Sequence, residues 1–287
     1  LPNGTVVRDE LEKFAKEVEF RSGYQRVATP HITKSNLYYT SGHLPYYKEG
    51  MFPPMILDGG QEYFLKPMNC PHHHKIYGTR PRSYRELPVR LAEYGACYRY
   101  EDSGSLSGLL RVRMLNMNDS HIYCRPDQLR EEFRAVLELH NFYYKKFRLT
   151  DYWMRLSVHD PLNKSKYIDN PEAWKFSEEI IKEVAESVGK CELGVVEAAF
   201  YGPKVDFQIK NVIGREETAS TNQLDFAGAE RFNLTYIAED GKQHRPYIIH
   251  RAPLGTHERF LAFLIEHFGG AFPTWMAPNQ VMLIPVN

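Results

Sequence analysis

Residues 89–101 and 110–123 carry two long strand signals, separated by the spacer DSGSLSG. Gly, Ser and Asp in that spacer are turn residues, so the pair predicts a long antiparallel hairpin. Alternate residues of a strand share a face. One face collects Cys97, Arg99 and Glu101 from the first arm and Arg111, Arg113, Leu115, Met117, Asp119 and His121 from the second. The other collects Tyr98, Leu110, Val112, Met114 and Ile122. A hairpin with one apolar face has to be covered by other elements, which points to a layered fold with helices on one side of a sheet. Pattern alone leaves the charged face open to two readings. It is either a solvated sheet surface laced with ion pairs or a site for a multiply charged anion, because guanidinium groups bind phosphate in bidentate fashion.

The remaining periodicities supply the layers. Residues 5–22 predict an amphipathic helix through Leu11, Phe14, Ala15 and Val18, followed by a strand over 25–29 that Pro30 stops. Residues 31–60 read as irregular, and 62–66 as a strand entering a Met-Asn-Cys-Pro turn. Helices are expected at 127–147, 171–188 and 256–268. Strands are expected at 152–158, 192–200, 204–210, 217–226, 233–238 and 246–251. Hairpin-joined strands with helices set apart predict an α+β fold: an antiparallel sheet flanked by helices. The segment GGAFPTWMAPNQ reads as a linker and VMLIPV as the first strand of a further domain, giving one large domain over 1–278 and, over 279–287, linker and the first strand of the next.

The 287 residues hold 36 basic and 36 acidic side chains, for a formal net charge of zero, which excludes nucleic-acid binding by bulk charge. No apolar run approaches the roughly 18–20 residues of a membrane span. Cys70, Cys97, Cys124 and Cys191 form no CxxC pair, so reduced thiols and a cytoplasmic setting are expected. The opening LPNGTVVRDELEKF has neither a signal-peptide core nor an initiating Met, which reads as a start inside a longer protein.

Near the other end, IIHRAPLGTHERF writes a strand, a glycine turn and a helix start. Gly255 permits close backbone approach. Arg259 falls in the first turn of that helix, where the dipole disfavours a cation unless an anion is near. A bound anion meets that condition, and so does an ion pair with Glu258 or another carboxylate.

Together these residues resemble a class II aminoacyl-tRNA synthetase core. Motif 1 corresponds to the first helix, strand and Pro30, motif 2 to the 99–119 hairpin, and motif 3 to GTHERFLAFLIEHF. The stretches SGHLPYY, FLKPMNCP, ELPVRLAEYGACYRYEDSGSLSGLLRVR, NDSHIYC, AAFYGPKVDFQI, NQLDF and HRPYIIHRAPLGTHERF are similar to the threonyl-tRNA synthetase family. The resemblance implies a zinc ion on Cys70, His121 and His250, none of which spacing alone would have selected. One thiolate and two imidazoles leave zinc open coordination, where a β-hydroxy amino acid can chelate and valine cannot. The implied reaction is two-step. Threonine and ATP with Mg²⁺ give threonyl-adenylate and pyrophosphate, and the acyl group then passes to the 3′ end of tRNA(Thr). By resemblance Arg99 contacts the α-phosphate and the substrate carboxylate, and Glu101 the adenine end. Arg111 and Arg259 hold the triphosphate, Lys204 adds a cation and Gln223 a floor contact. Asp119 takes the threonine hydroxyl, while Tyr201, Met68 and Met117 line that pocket. His43 and Tyr47 lie near the tRNA terminus, with His43 moving the ribose proton. A homodimer through the motif 1 region is also implied.

The chain departs from the family pattern where Phe and Gln are usual and it has Leu115 and Met117. It departs again where Trp-Gln is usual and it has Glu217 and Thr218. Met117 cannot donate the hydrogen bond of a glutamine. These changes leave open a specialised, inhibitor-tolerant synthetase paralogue, or a non-catalytic one that binds tRNA or a protein partner. A zinc hydrolase or deaminase is disfavoured because neither HExxH nor H-x-E with PCxxC is present.

Overall fold

In the computed structural model, which describes residues 1–163, 166–195, 197–211 and 213–286, the hairpin forms as its alternation predicts. Strands Val89–Tyr98 and Met114–Cys124 pair antiparallel, with Cys97 opposite Leu115, Gly95 opposite Met117 and Glu93 opposite Asp119. The arms are shorter than expected. Residues 99–113 leave the ladder and form a broad loop with a 3-10 turn at Ser103–Ser105.

The hairpin lies inside an eight-stranded sheet. The strand order is Gln25–Arg26, Val89–Tyr98, Met114–Cys124, Tyr247–Arg251, Glu216–Asp225, Lys204–Lys210, Tyr152–Val158, Cys191–Val195. Only the two edge pairings are parallel; the five interior ones are antiparallel. The sheet is covered on both faces: the long helices pack on one, and helix Cys70–Tyr77 covers the hairpin end of the other, which opens as a cleft farther along. Ile122, Phe207, Leu224 and Ile249 point to a core shared with Leu11 of helix Pro2–Arg21, Phe133 of helix Leu129–Lys146, Ile181 of helix Pro171–Val188 and Phe260 of helix His257–Phe268. The hairpin face read as apolar is mixed. Ile122 is buried in that core, whereas Met114 is half exposed and Asn118 donates to Glu19 Oε1 at 2.8 Å.

Further expectations differ. The stretch 31–60, read as irregular, holds strand Ile32–Lys34, helices Ser35–Ser41 and His43–Tyr46, and strand Met55–Leu57. The Met-Asn-Cys-Pro segment is not a simple turn, because it starts helix Cys70–Tyr77 with Pro71 in the first turn, where a missing N–H costs nothing. The strand expected over 233–238 shrinks to Tyr236–Ile237, paired with Gln243–His244, after a helical turn at Gly228–Arg231 and a left-handed Asn233. Residues 279–286 carry no regular structure, and 281–286 are exposed.

Candidate active site and metal centre

The face of the sheet opposite its long helices aligns four of the expected site residues in one row. His121 lies opposite His250, His250 opposite Gln223, and Gln223 opposite Lys204. Each belongs to a different strand, and the shared register turns four distant sequence positions into neighbours. His250, Gln223 and Lys204 line a cleft of about 390 Å³, within the range of small-ligand sites.

Cys70 reaches the row from the start of its helix. One ligand atom each from Cys70, His121 and His250 lie within 4.8 Å of one another, which a small inward rotation brings to the spacing around one tetrahedral ion. Nε2 of His121 is buried and has no hydrogen-bond partner among the described residues, as expected of a nitrogen kept for a metal. Its Nδ1 lies 2.8 Å from Nδ1 of His73. His250 Nε2 lies 3.1 Å from Asp225 Oδ2, while Asp225 Oδ1 accepts from the N–H groups of Ala227 and Gly228 at 2.8 and 2.7 Å. Burial opposes charge on Asp225, but His250 and the Gly228 N–H hold its carboxyl below the usual range. An ionised Asp225 can only accept, so the proton of His250 sits on Nε2 and its lone pair on Nδ1. Burial, with Asp119 next, pushes the Cys70 thiol well above its ordinary value. A cation beside it is the counter-charge that makes a thiolate. The donor set therefore fits zinc. Asp119, two residues before His121 on the same face, accepts from Asn69 Nδ2 at 2.9 Å.

The other end of the cleft is cationic. Arg99 is half buried, and its buried Nε has no hydrogen-bond partner among the described residues. Arg259 Nε donates to the Leu110 carbonyl at 3.1 Å, and Thr256 Oγ1 caps its backbone N–H at 3.4 Å. Burial, then the nearby Arg99, and further off Arg111, push the Arg259 guanidinium below its ordinary pKa. Glu258 does not pair with it, because both of its oxygens are engaged by Asn116, through N at 3.0 Å and Nδ2 at 3.0 Å. These are cations short of an anion. Arg111 meanwhile donates to Glu101 Oε2 at 3.0 Å, and Lys204 to Asp206 Oδ2 at 2.6 Å. Gly255 is required where it stands: its φ is +55°, and a Cβ there would lie 2.6 Å from the Ala219 carbonyl on a bulge of the neighbouring strand. Gly202 is equally constrained, since a Cβ would fall 1.7 Å from the Leu224 carbonyl.

A second cavity of about 290 Å³ opens on the far side of the ligand cluster. Met68, Cys70, Tyr201 and His250 line both cavities, so the cluster stands at their junction. His43 and Tyr47 line the second. His43 Nδ1 lies 2.7 Å from Ser41 Oγ, and burial, then Arg99 and Arg231, push its imidazole down to about 4. It is therefore neutral near pH 7. The Tyr201 hydroxyl donates to Gln223 Oε1, and its ring stacks on His250 at 5.7 Å. Met117 and Leu115 line the first cavity, and Thr218 Oγ1 donates to Gln208 Oε1 at 3.0 Å. A larger groove of about 1000 Å³ runs along helix Pro2–Arg21 and holds none of these residues.

Every site residue expected from the sequence thus belongs to one of the two joined cavities or to the ligand cluster between them. Sequence reasoning missed Asn69, His73, Glu93 and Asp225. Asn69, Glu93 and Asp225 stand inside stretches already singled out, and His73 lies two residues beyond one. Their roles come from partners that only folding brings near.

An antiparallel sheet with helices on one face and, on the other, a cleft walled by a charged hairpin and a strand–turn–helix with its arginine defines a class of protein. The chain belongs to the family described as the tRNA synthetase class II core domain (G, H, P, S and T), which it matches over residues 55–268. Within that family its likeness is to the threonine enzymes. It is 53% identical over 288 aligned residues to the threonine–tRNA ligase of Staphylococcus aureus strain JH9, covering 100% of this chain and 45% of that protein. The chain thus spans less than half the length of the curated relatives it matches. A crystal structure described as the RNA binding domain of threonyl-tRNA synthetase from Cryptosporidium parvum Iowa II superposes with a TM-score of 0.89 at 37% identity, covering 97% of this chain and 68% of that one. A putative threonyl-tRNA synthetase from Aeropyrum pernix superposes with a TM-score of 0.80 at 32% identity, covering 93% and 61%.

Proposed function

We propose that this chain is the catalytic core of a threonine–tRNA ligase. The observation that carries the reading is the junction of two chemistries in one cleft: the Cys70, His121 and His250 donor set at one end and the unpaired cations Arg99 and Arg259 at the other. Cys70, His121 and His250 would hold zinc, which when bound supplies a Lewis-acidic contact for the amine and hydroxyl of threonine.

The chain's own residues do the rest. Asp119, held by Asn69, accepts the substrate hydroxyl's hydrogen bond, and Tyr201, Met68 and Met117 close the pocket around the methyl group. Arg99 orients the threonine carboxylate against the α-phosphorus of ATP. Carboxylate oxygen and phosphorus form a new bond as the bond to pyrophosphate breaks. Negative charge moves onto the phosphate oxygens, where Arg99 and Lys204 stand, and cations fixed in place before reaction need no reorganisation. Arg259 and Arg111 take the triphosphate, Arg111 by exchanging its contact with Glu101, which turns to the adenine end. Gln223 adds a contact on the sheet floor. Mg²⁺ bound with ATP would supply further positive charge to the phosphates. Neutral His43, beside Tyr47, takes the proton of the tRNA ribose hydroxyl as it attacks the acyl carbon and AMP leaves. Leu115 gives the adenine an aliphatic rather than an aromatic floor.

Helix Pro2–Arg21 and its groove are the dimer face of this reading, and the cytoplasm its compartment. Among the described residues no helix is long and apolar enough to cross a membrane. Threonine-dependent exchange of pyrophosphate into ATP, with zinc and Mg²⁺ supplied, tests the proposal. Exchange with threonine and little with valine is expected, and a folded protein that gives none with threonine would be a binding paralogue instead.

A further inference from the structure

A buried chain of hydrogen bonds runs from the hairpin to the ligand cluster. The Glu93 carboxylate accepts from Thr29 N at 2.8 Å, from Thr29 Oγ1 at 2.9 Å and from Lys66 Nζ at 3.3 Å. Lys66 is itself wholly buried. Glu93 Oε2 also lies 3.0 Å from His73 Nε2, and His73 Nδ1 lies 2.8 Å from His121 Nδ1. The chemistry sets the order of protons along this chain. A carboxylate only accepts, so His73 Nε2 carries hydrogen. The two Nδ1 atoms share one hydrogen, and Nε2 of His121, buried and without a hydrogen-bond partner among the described residues, is the nitrogen left for a metal. A nitrogen that ligates carries no hydrogen, so with Nε2 on the metal Nδ1 of His121 donates and Nδ1 of His73 accepts.

We infer that His73 is a positioning residue: backed by Glu93, it holds His121 in the tautomer and ring orientation that present Nε2 to the metal. The inference rests on the metal site proposed above. Asp225 plays the matching part for His250, so both imidazoles are oriented by a buried carboxylate, one directly and one through a second histidine. The competing account is that His73 and His121 merely satisfy one another's polarity in the interior.

Two measurements separate the accounts. In metal-free wild-type protein labelled with ¹⁵N-histidine, ring correlations should show His121 protonated on Nδ1; a proton on Nε2 overturns the inference. Zinc affinity is then measured by chelator competition for wild type, His73→Phe and His73→Asn, with circular dichroism confirming that each is folded. Phenylalanine keeps the ring and loses the acceptor, while the asparagine oxygen falls near the place of Nδ1. His73→Phe should bind zinc about 10- to 100-fold more weakly, and His73→Asn within about threefold of wild type. Equal loss in both variants, or wild-type affinity in His73→Phe, overturns it. If His73→Phe does not fold, the tautomer measured in the wild type decides. A wild type that takes up no zinc sinks the metal site itself, a result distinct from a zinc-binding wild type whose His73→Phe variant binds as tightly.

Discussion

His140 offers a titration that the fold makes quantitative. It is wholly buried on helix Leu129–Lys146, stacked on Phe207 with ring centroids 4.3 Å apart, and placed 2.8 Å from Asn222 Oδ1 and 3.0 Å from Ser220 Oγ. Asn222 and Ser220 belong to the strand that also carries Gln223, so this histidine supports the floor of the cleft from the core side. Burial pushes it down to about 3. An unfolded histidine titrates near 6.5, so below that pH the unfolded chain binds the proton that the native state refuses. The stability is present above the unfolded pKa and is lost as pH falls toward the folded one. Between pH 7 and 4.5 the loss comes to about 2.5 kcal/mol, at 1.36 kcal/mol per pKa unit. It hardly changes if the buried value is nearer 4. His140→Gln removes the titration, although it lowers stability at every pH. The assay is urea unfolding of both proteins at pH 7.0 and 4.5, followed by fluorescence and circular dichroism. Other histidines are common to both and cancel in the difference. Wild type should lose about 2.5 kcal/mol more than the variant on acidification. Equal losses would refute a neutral, buried His140.

Arg99→Gln should lower threonine-dependent exchange by about 10²- to 10³-fold, the usual effect of removing one preorganised donor. The melting temperature of the free protein should hold or rise, because Arg259 loses a like charge beside it; exchange within threefold of wild type would contradict the assigned role. Cys70→Ser should abolish threonine activation and zinc retention while leaving the circular dichroism spectrum unchanged, and wild-type exchange in that variant would remove the metal assignment. Glu19→Gln should cost about 3–5 kcal/mol of stability. Arg251 Nη1 lies 2.9 Å from Glu19 Oε1 with both groups buried, and the variant leaves that guanidinium without its counter-charge. A urea midpoint unchanged from wild type would show that the pair contributes nothing.

The elements that depend on local periodicity were legible. Helix Pro171–Val188 and strands Tyr152–Val158 and Lys204–Lys210 fall where the apolar spacing placed them. The hairpin's parity also survived folding: Leu115, Met117, Asp119 and His121 share one face because alternation in a strand is a property of the backbone alone. Where short-range signals competed, the reading failed. Pro71 looked like a turn residue and opened a helix, since proline suits both a bend and a first helical turn.

The chain's own order therefore determined the layers, the charged face and, through the stretches it shares with synthetases, the family. It could not determine which side chains meet. His121, His250, Gln223 and Lys204 are separated by up to 129 positions and become one row only because three antiparallel pairings set their register. Glu93 and His73, and likewise Asp225 and His250, touch because burial removes the water that would otherwise satisfy them, leaving each the other's remaining partner.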